Sequence, residues 1–230
     1  LKKRTKIIIS IVAVIVFIYL LPFFAYLLAN KNTKQFMFEQ VAYKTIADNI
    51  TKDCSTDSAK TMKIYEFVVN RCREPKEGEN PKYNNTFDVF THKTASCDQQ
   101  VWLMMALLRV ENIDARMVFL RGYDSISRHT VAEVNINGHY GMLDPFYHRY
   151  LYNNQQQLAS VDDIIKGNLP KAGMGYVEPV EYWALFKPTF PYKIHSDNKL
   201  DSPHRFIRSI LWGYKAVLGK AFTGPFKAMH

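Results

Sequence analysis

The seven histidines of this 230-residue chain show no zinc spacing, and no acidic stretch has the layout of a calcium loop, so neither a metal nor another cofactor is expected. No internal repeat is present, which sets aside solenoids and propellers. The middle of the chain also lacks an excess of basic charge. The formal charge of +9 comes from the ends: residues 1–6 contribute +4, residues 187–230 hold eight basic and two acidic side chains, and the remainder has 18 basic and 19 acidic. A nucleic-acid binder needs its basic stripe on the folded domain, so no nucleic-acid partner is expected. Positive ends fit anionic lipid better.

What the chain does have is apolar and aromatic content, 47% and 14%, which excludes a disordered polymer and leaves room for one domain with a sizeable core. Residues 7–29 form an uncharged run in which Ser10 is the only markedly polar side chain. As a helix it would be roughly 35 Å long against a hydrocarbon core of about 30 Å, so it is expected to span a bilayer, with Pro22 as a possible kink. Lys2, Lys3, Arg4 and Lys6 precede the run, whereas only Lys31 and Lys34 follow closely; the positive-inside rule then puts the N-terminus in the cytoplasm and the rest outside, periplasmic or extracellular. A cleaved signal peptide fits less well, because the run is long for one and Leu27-Leu28-Ala29 lacks a small residue three before a cut.

Residues 35–50 have helix-like composition, and 58–69 repeats apolar side chains as a packed helix does. Residues 74–85, with Pro75, Gly78 and Pro81, read as a loop. The run 101–108 is apolar on all sides and suggests a buried central helix; 115–120 reads as a strand, followed by a loop over 122–128. Pro145 ends a later strand, residues 153–157 read as a surface connection, and 179–192 as irregular structure covering the domain. From residue 203 onward an apolar stripe with basic neighbours predicts a helix that either packs on its own domain or lies on the membrane surface.

Three residues stand where local structure would give each a chemical role. In Ser96-Cys97-Asp98-Gln99 a serine precedes a glutamine by three, the capping-box pattern, so Cys97 is expected to open the central helix. There the unpaired amides and the positive end of the macrodipole favour thiolate over thiol. Asn137-Gly138 lies between two strand-like runs and predicts a hairpin in which paired positions sum to 275, placing Asp144 opposite Val131. His129, two residues from Val131, then shares a face with Asp144. A slip of one residue would put the two on opposite faces.

At Ser96-Cys97-Asp98-Gln99-Gln100, Ala115-Arg116, His129-Thr130-Val131-Ala132-Glu133-Val134 and Leu143-Asp144-Pro145 the chain resembles the transglutaminase-like superfamily, roughly over residues 56–150. The resemblance implies a papain-like α+β fold in which a buried central helix packs against an antiparallel sheet. One departure is Thr94-Ala95-Ser96, where many members have glycine before the cysteine motif. Arylamine acetyltransferases share the order Cys, His, Asp but carry Arg-Gly-Gly before the cysteine, which is absent here, and papain proteases space cysteine and histidine much farther apart.

The resemblance further implies that Cys97 is a nucleophile toward an amide or ester carbonyl, that His129 carries the proton, and that Asp144 orients His129. The backbone amide of Cys97 is a plausible oxyanion donor; the second donor is left unplaced, a side chain from residues 86–94 being one source. Glu133 is read either as a supporting partner or as an exposed strand carboxylate. Cys54 and Cys72 are read either as a disulfide or as separate thiols. The expected organisation is an anchor over 1–30, a juxtamembrane helical segment over 31–55, a transglutaminase-like domain over 56–190 and a basic amphipathic segment over 191–230. The expected function is a membrane-anchored cysteine enzyme hydrolysing or transferring amides of protein or peptide substrates; the alternative is a catalytically silent binding module in envelope assembly.

Overall fold

In a computed structural model, residues 6–17, 20, 31–81, 83, 85–121, 126–167, 182, 184–186 and 193–195 are described. The amphipathic helix expected from residue 203, and most of the covering segment 179–192, lie outside these. Residues 6–17 are helical with exposed side chains. Among the described residues no helix is long and apolar enough to cross a membrane, and much of the expected span, 18–19 and 21–29, is not among them.

The chain forms two units, one of residues 1–45 with 198–230 and one of residues 46–197. Helix α1, Lys31–Thr51, runs through the boundary and so crosses the expected juxtamembrane segment. In the first unit it contributes a small apolar cluster of Met37 and Val41. Helix α2, Asp57–Arg71, starts where the Thr56 side chain accepts from Ala59 N–H and has Asp57 in its first turn and Arg71 in its last, both favourable to the helix dipole. Cys54 and Cys72 at its two flanks are free thiols. Burial pushes the Cys72 thiol up to about 11, which makes it inert near neutral pH.

A short helix, α3, occupies Thr86–His92 inside a stretch that sequence reading left unassigned. Asn85 caps it by accepting from Asp88 N–H, and Lys93 ends it in the left-handed conformation. Helix α4, Cys97–Val110, follows. Leu103, Met104, Leu107 and Leu108 on it are wholly buried, and it packs against α2, α3 and two strands, as an apolar run without a polar face requires.

The sheet is antiparallel, in the order β4-β3-β2-β1-β5, from β1 (Ala115–Arg121), β2 (Ser127–Ile136), β3 (His139–Asp144), β4 (Arg149–Tyr150) and β5 (Lys193–His195). The β2–β3 hairpin turns at Asn137 and Gly138, both with positive φ (55° and 86°), the geometry that follows the twist of the strands. Its pairs Ile136 with His139 and Ala132 with Leu143 have the register expected from that turn. Residues 129–134 of β2 are buried without interruption, so both faces of this central strand are covered. On one face Val118, Leu120, Val131 and Met142 pack with Val161 and Ile164 of helix α5 (Val161–Lys166) and with Tyr182 and Phe186. Helices and antiparallel sheet together make an α+β fold.

Glu133 is neither exposed nor bonded to the histidine. It is 1% exposed; Oε2 accepts from Arg116 Nε (2.9 Å) and Nη2 (2.8 Å), while Oε1 accepts from Val161 N–H (2.8 Å) at the start of α5. Arg116 is its cross-strand neighbour on β1 and also lies 3.8 Å over the Tyr140 ring. One carboxylate therefore joins two strands to a helix N-terminus, a structural role.

Candidate active site

Cys97 opens α4, half-buried. The expected capping box is present, with the Gln99 side chain reaching back to accept from Ser96 N–H at 3.1 Å, and the Ser96 hydroxyl also donates to the Asp98 carboxylate. Although this chain has Thr94-Ala95-Ser96 rather than glycine before the cysteine, the approach to the helix is fixed from outside. Arg73 N–H donates to the Lys93 carbonyl (2.7 Å) and Ala95 N–H to the Arg73 carbonyl (3.0 Å). Gln100 Nε2 donates to the Ala95 carbonyl, and Gln99 Nε2 donates to the Pro81 carbonyl, which ties the loop after α2 to the same helix start. Within that loop the bidentate contact of Arg73 holds the Glu79 carboxyl down at about 2.

His129 lies on β2 where its pairing with β1 shifts by one residue, between Leu120 opposite His129 and Arg121 opposite Ser127. Such an irregularity bends a strand locally and re-aims the neighbouring side chain. Asp144 closes β3 directly before Pro145, and Tyr147 and Phe146 follow in the turn. His129 Nε2 donates to Asp144 Oδ2 at 2.6 Å, with His129 3% exposed and Asp144 wholly buried. The shared face expected from the hairpin register is therefore present.

Four donors converge on the Asp144 carboxyl. Phe146 N–H and Tyr147 N–H each reach Oδ1 at 3.1 Å; His129 and the Tyr182 hydroxyl, at 3.1 Å, meet Oδ2. The Tyr65 hydroxyl donates to the Asp144 backbone carbonyl at 3.4 Å. A buried carboxyl can persist only when satisfied in this way. Since Nε2 is occupied by Asp144, Nδ1 is the ring nitrogen left for Cys97, which lies near enough to act on the imidazole. Burial pulls the His129 imidazolium down, but the hydrogen bond to Asp144 and the charges of Asp144 and Cys97 outweigh it and hold it up to about 9. The Tyr147 ring, 4.8 Å from the imidazole between centroids, and Phe146, at 6.0 Å, flank it.

The structure thus brings together Cys97, His129 and Asp144 from a helix start, a central strand and the end of its neighbour. Sequence reasoning missed Tyr182 and Tyr147. Tyr147 is three residues past Asp144 in a chain with 14 tyrosines, and Tyr182 falls in the aromatic stretch read only as cover, so neither carried a distinguishing signal. Among the described residues no group of three or more His, Cys, Asp or Glu side chains is arranged to hold a metal.

The family model described as the transglutaminase-like superfamily matches residues 44–145. No curated protein matches the chain. Among solved structures, a candidate cysteine protease from Cytophaga hutchinsonii is 17% identical, with a TM-score of 0.41 over 53% of this chain and 44% of that one. A candidate protease from Parabacteroides distasonis is 14% identical, with a TM-score of 0.39 over 45% of this chain and 23% of that one. A structure described as a TGase is 14% identical, with a TM-score of 0.37 over 51% and 33%. The chain spans less than half the length of each of these three. The match ends at Pro145, directly after Asp144, so it is over residues 44–145 that the chain is similar to the transglutaminase-like superfamily.

Proposed function

We propose that this chain is a cysteine enzyme that cleaves or exchanges amide bonds of proteins or peptides. Cys97 is the nucleophile, His129 the proton carrier and Asp144 the group that orients His129. The observation that carries this reading is the buried 2.6 Å bond between His129 Nε2 and Asp144 Oδ2, which leaves the other ring nitrogen for Cys97. In the first half-reaction the Cys97 sulfur bonds to the carbonyl carbon, the C–N bond breaks, and the proton held by His129 passes to the departing amine. A thioester results. Water then yields the acid, or a second amine yields a new amide; either way the incoming nucleophile gives its proton to His129 and the sulfur leaves as thiolate, which restores the thiolate–imidazolium pair. The amide of Cys97, at the start of α4, supplies one donor to the oxyanion.

The proposal extends to location: an N-terminal anchor holds the catalytic domain on the outer side of a membrane. Residues 6–17 support it, because Ile7, Ile8, Ile9, Val12 and Phe17 expose 53–62% of their surface on one helical stretch, an apolar array that water does not favour.

Incubation with a labelled amine and a peptide acceptor, for wild type and Cys97→Ala, tests the chemistry. Incorporation that requires Cys97 indicates transfer, and amide loss without incorporation indicates hydrolysis. Alkylation of Cys97 by iodoacetamide no faster than that of a free thiol at every pH would reverse the proposal in favour of a silent binding module.

A further inference from the structure

Asp144 Oδ2 receives two side-chain donors, His129 Nε2 at 2.6 Å and the Tyr182 hydroxyl at 3.1 Å. Tyr182 is 6% exposed, and its ring is fixed on two sides, edge-on to Tyr147 at 5.4 Å and against Phe186 at 5.4 Å. Tyr147 in turn lies against His129. A phenol in the core needs a partner for its hydroxyl, and this one finds it on the carboxyl that orients the histidine. Residue 182 is also beyond the stretch that matches the family model, 44–145, so this contact comes from a part of the chain outside the matched core.

We propose that Tyr182 is a positioning residue that acts through Asp144, competing with His129 for Oδ2 and so weakening the hold of the carboxylate on the imidazolium. Two donors on one oxygen share its charge. Remove one, and the other is bound more strongly. With Tyr182 in place the imidazolium gives its proton to a departing amine more readily than it would beside a carboxylate serving His129 alone. The catalytic meaning of this effect rests on the proposed function, but the hydrogen-bond competition does not. The other ionisable groups around the pair are Cys97 at the start of α4, Tyr147 in the turn after β3 and Tyr65 on α2.

Tyr182→Phe removes the hydroxyl and keeps the ring contacts. In the full chain with ¹⁵N-labelled histidine, the His129 resonance, assigned by its loss in His129→Gln, is titrated in wild type and in Tyr182→Phe. The midpoint is expected to rise by about half a pH unit in the variant. In parallel, kcat for amide turnover should fall several-fold with KM unchanged, and Tyr182→Leu should lower stability as well. A His129 midpoint in Tyr182→Phe equal to or below that of wild type overturns the proposal, whatever the activity. Absence of turnover in wild type would instead count against the proposed function and leave the titration result to judge Tyr182.

Discussion

Asp144 carries more contacts than any other side chain at the site, and its loss should be legible in the pH dependence. The His129 imidazolium is held up to about 9, above the 6.5 of a free imidazole, with burial opposing and Asp144 the first of the groups that raise it. In the proposed reaction the acid form that protonates the departing amine is therefore present below about pH 9, and turnover should decline above it with the loss of one proton. Asp144→Asn keeps the shape and removes the charge. The alkaline limb is expected to move to lower pH, and kcat/KM to fall on the order of 10³–10⁴-fold, measured in pH–rate profiles of both proteins. The same linkage gives a stability signature: what the raised value contributes is fully present below pH 6.5 and is lost as pH climbs through about 9. At Glu133 the consequence is stability alone. Glu133→Ala strands Arg116 and the Val161 amide; because Arg116 is 26% exposed, the cost should be roughly 2–4 kcal/mol by urea denaturation, partly recovered in Arg116→Met/Glu133→Leu.

Elements differ in how much of them a sequence can specify. The β2–β3 hairpin was legible because its register depends on two adjacent residues, Asn137 and Gly138, that admit positive φ, and from this the shared face of His129 and Asp144 followed. The start of α4 was legible through Ser96 and Gln99 for the same local reason. The pairing of β1 with β2 was not: nothing in residues 122–126 dictates a turn type, so neither the cross-strand meeting of Arg116 with Glu133 nor the shift beside His129 could be foreseen. Helix α3 has seven residues and too few turns to show a period, and β4 has two. Tyr182 reaches Asp144 across 38 residues of chain, a contact that only tertiary packing makes. Gly141 on β3 is another such case. A Cβ there would lie 2.3 Å from Leu158 Cβ, an atom fixed to the backbone, so this strand and the segment after β4 can approach only because the side chain is absent. Gly141→Ala should cost about 1–3 kcal/mol in chemical denaturation, and Leu158→Gly in the same chain should relieve the clash while adding its own cavity.

For the whole molecule, the charge distribution and the apolar N-terminal helix point the same way. Residues 7–186 are close to neutral, so this part of the chain has little long-range attraction of its own for an anionic surface; the positive charge is concentrated in residues 1–6 and 187–230. If those ends met lipid only through charge, binding would weaken steeply with ionic strength, since the Debye length falls from about 10 Å at 0.1 M salt to about 3 Å at 1 M. A spanning helix behaves differently, because its attachment comes from burying apolar side chains such as Ile8, Ile9 and Phe17. Membranes containing the full chain should therefore retain it through both 1 M salt and carbonate at alkaline pH, and a chain lacking residues 1–30 should be released by salt. Release of the full chain by carbonate would exclude the anchor. Release of the full chain by salt alone would assign attachment to the basic ends and make the chain peripheral.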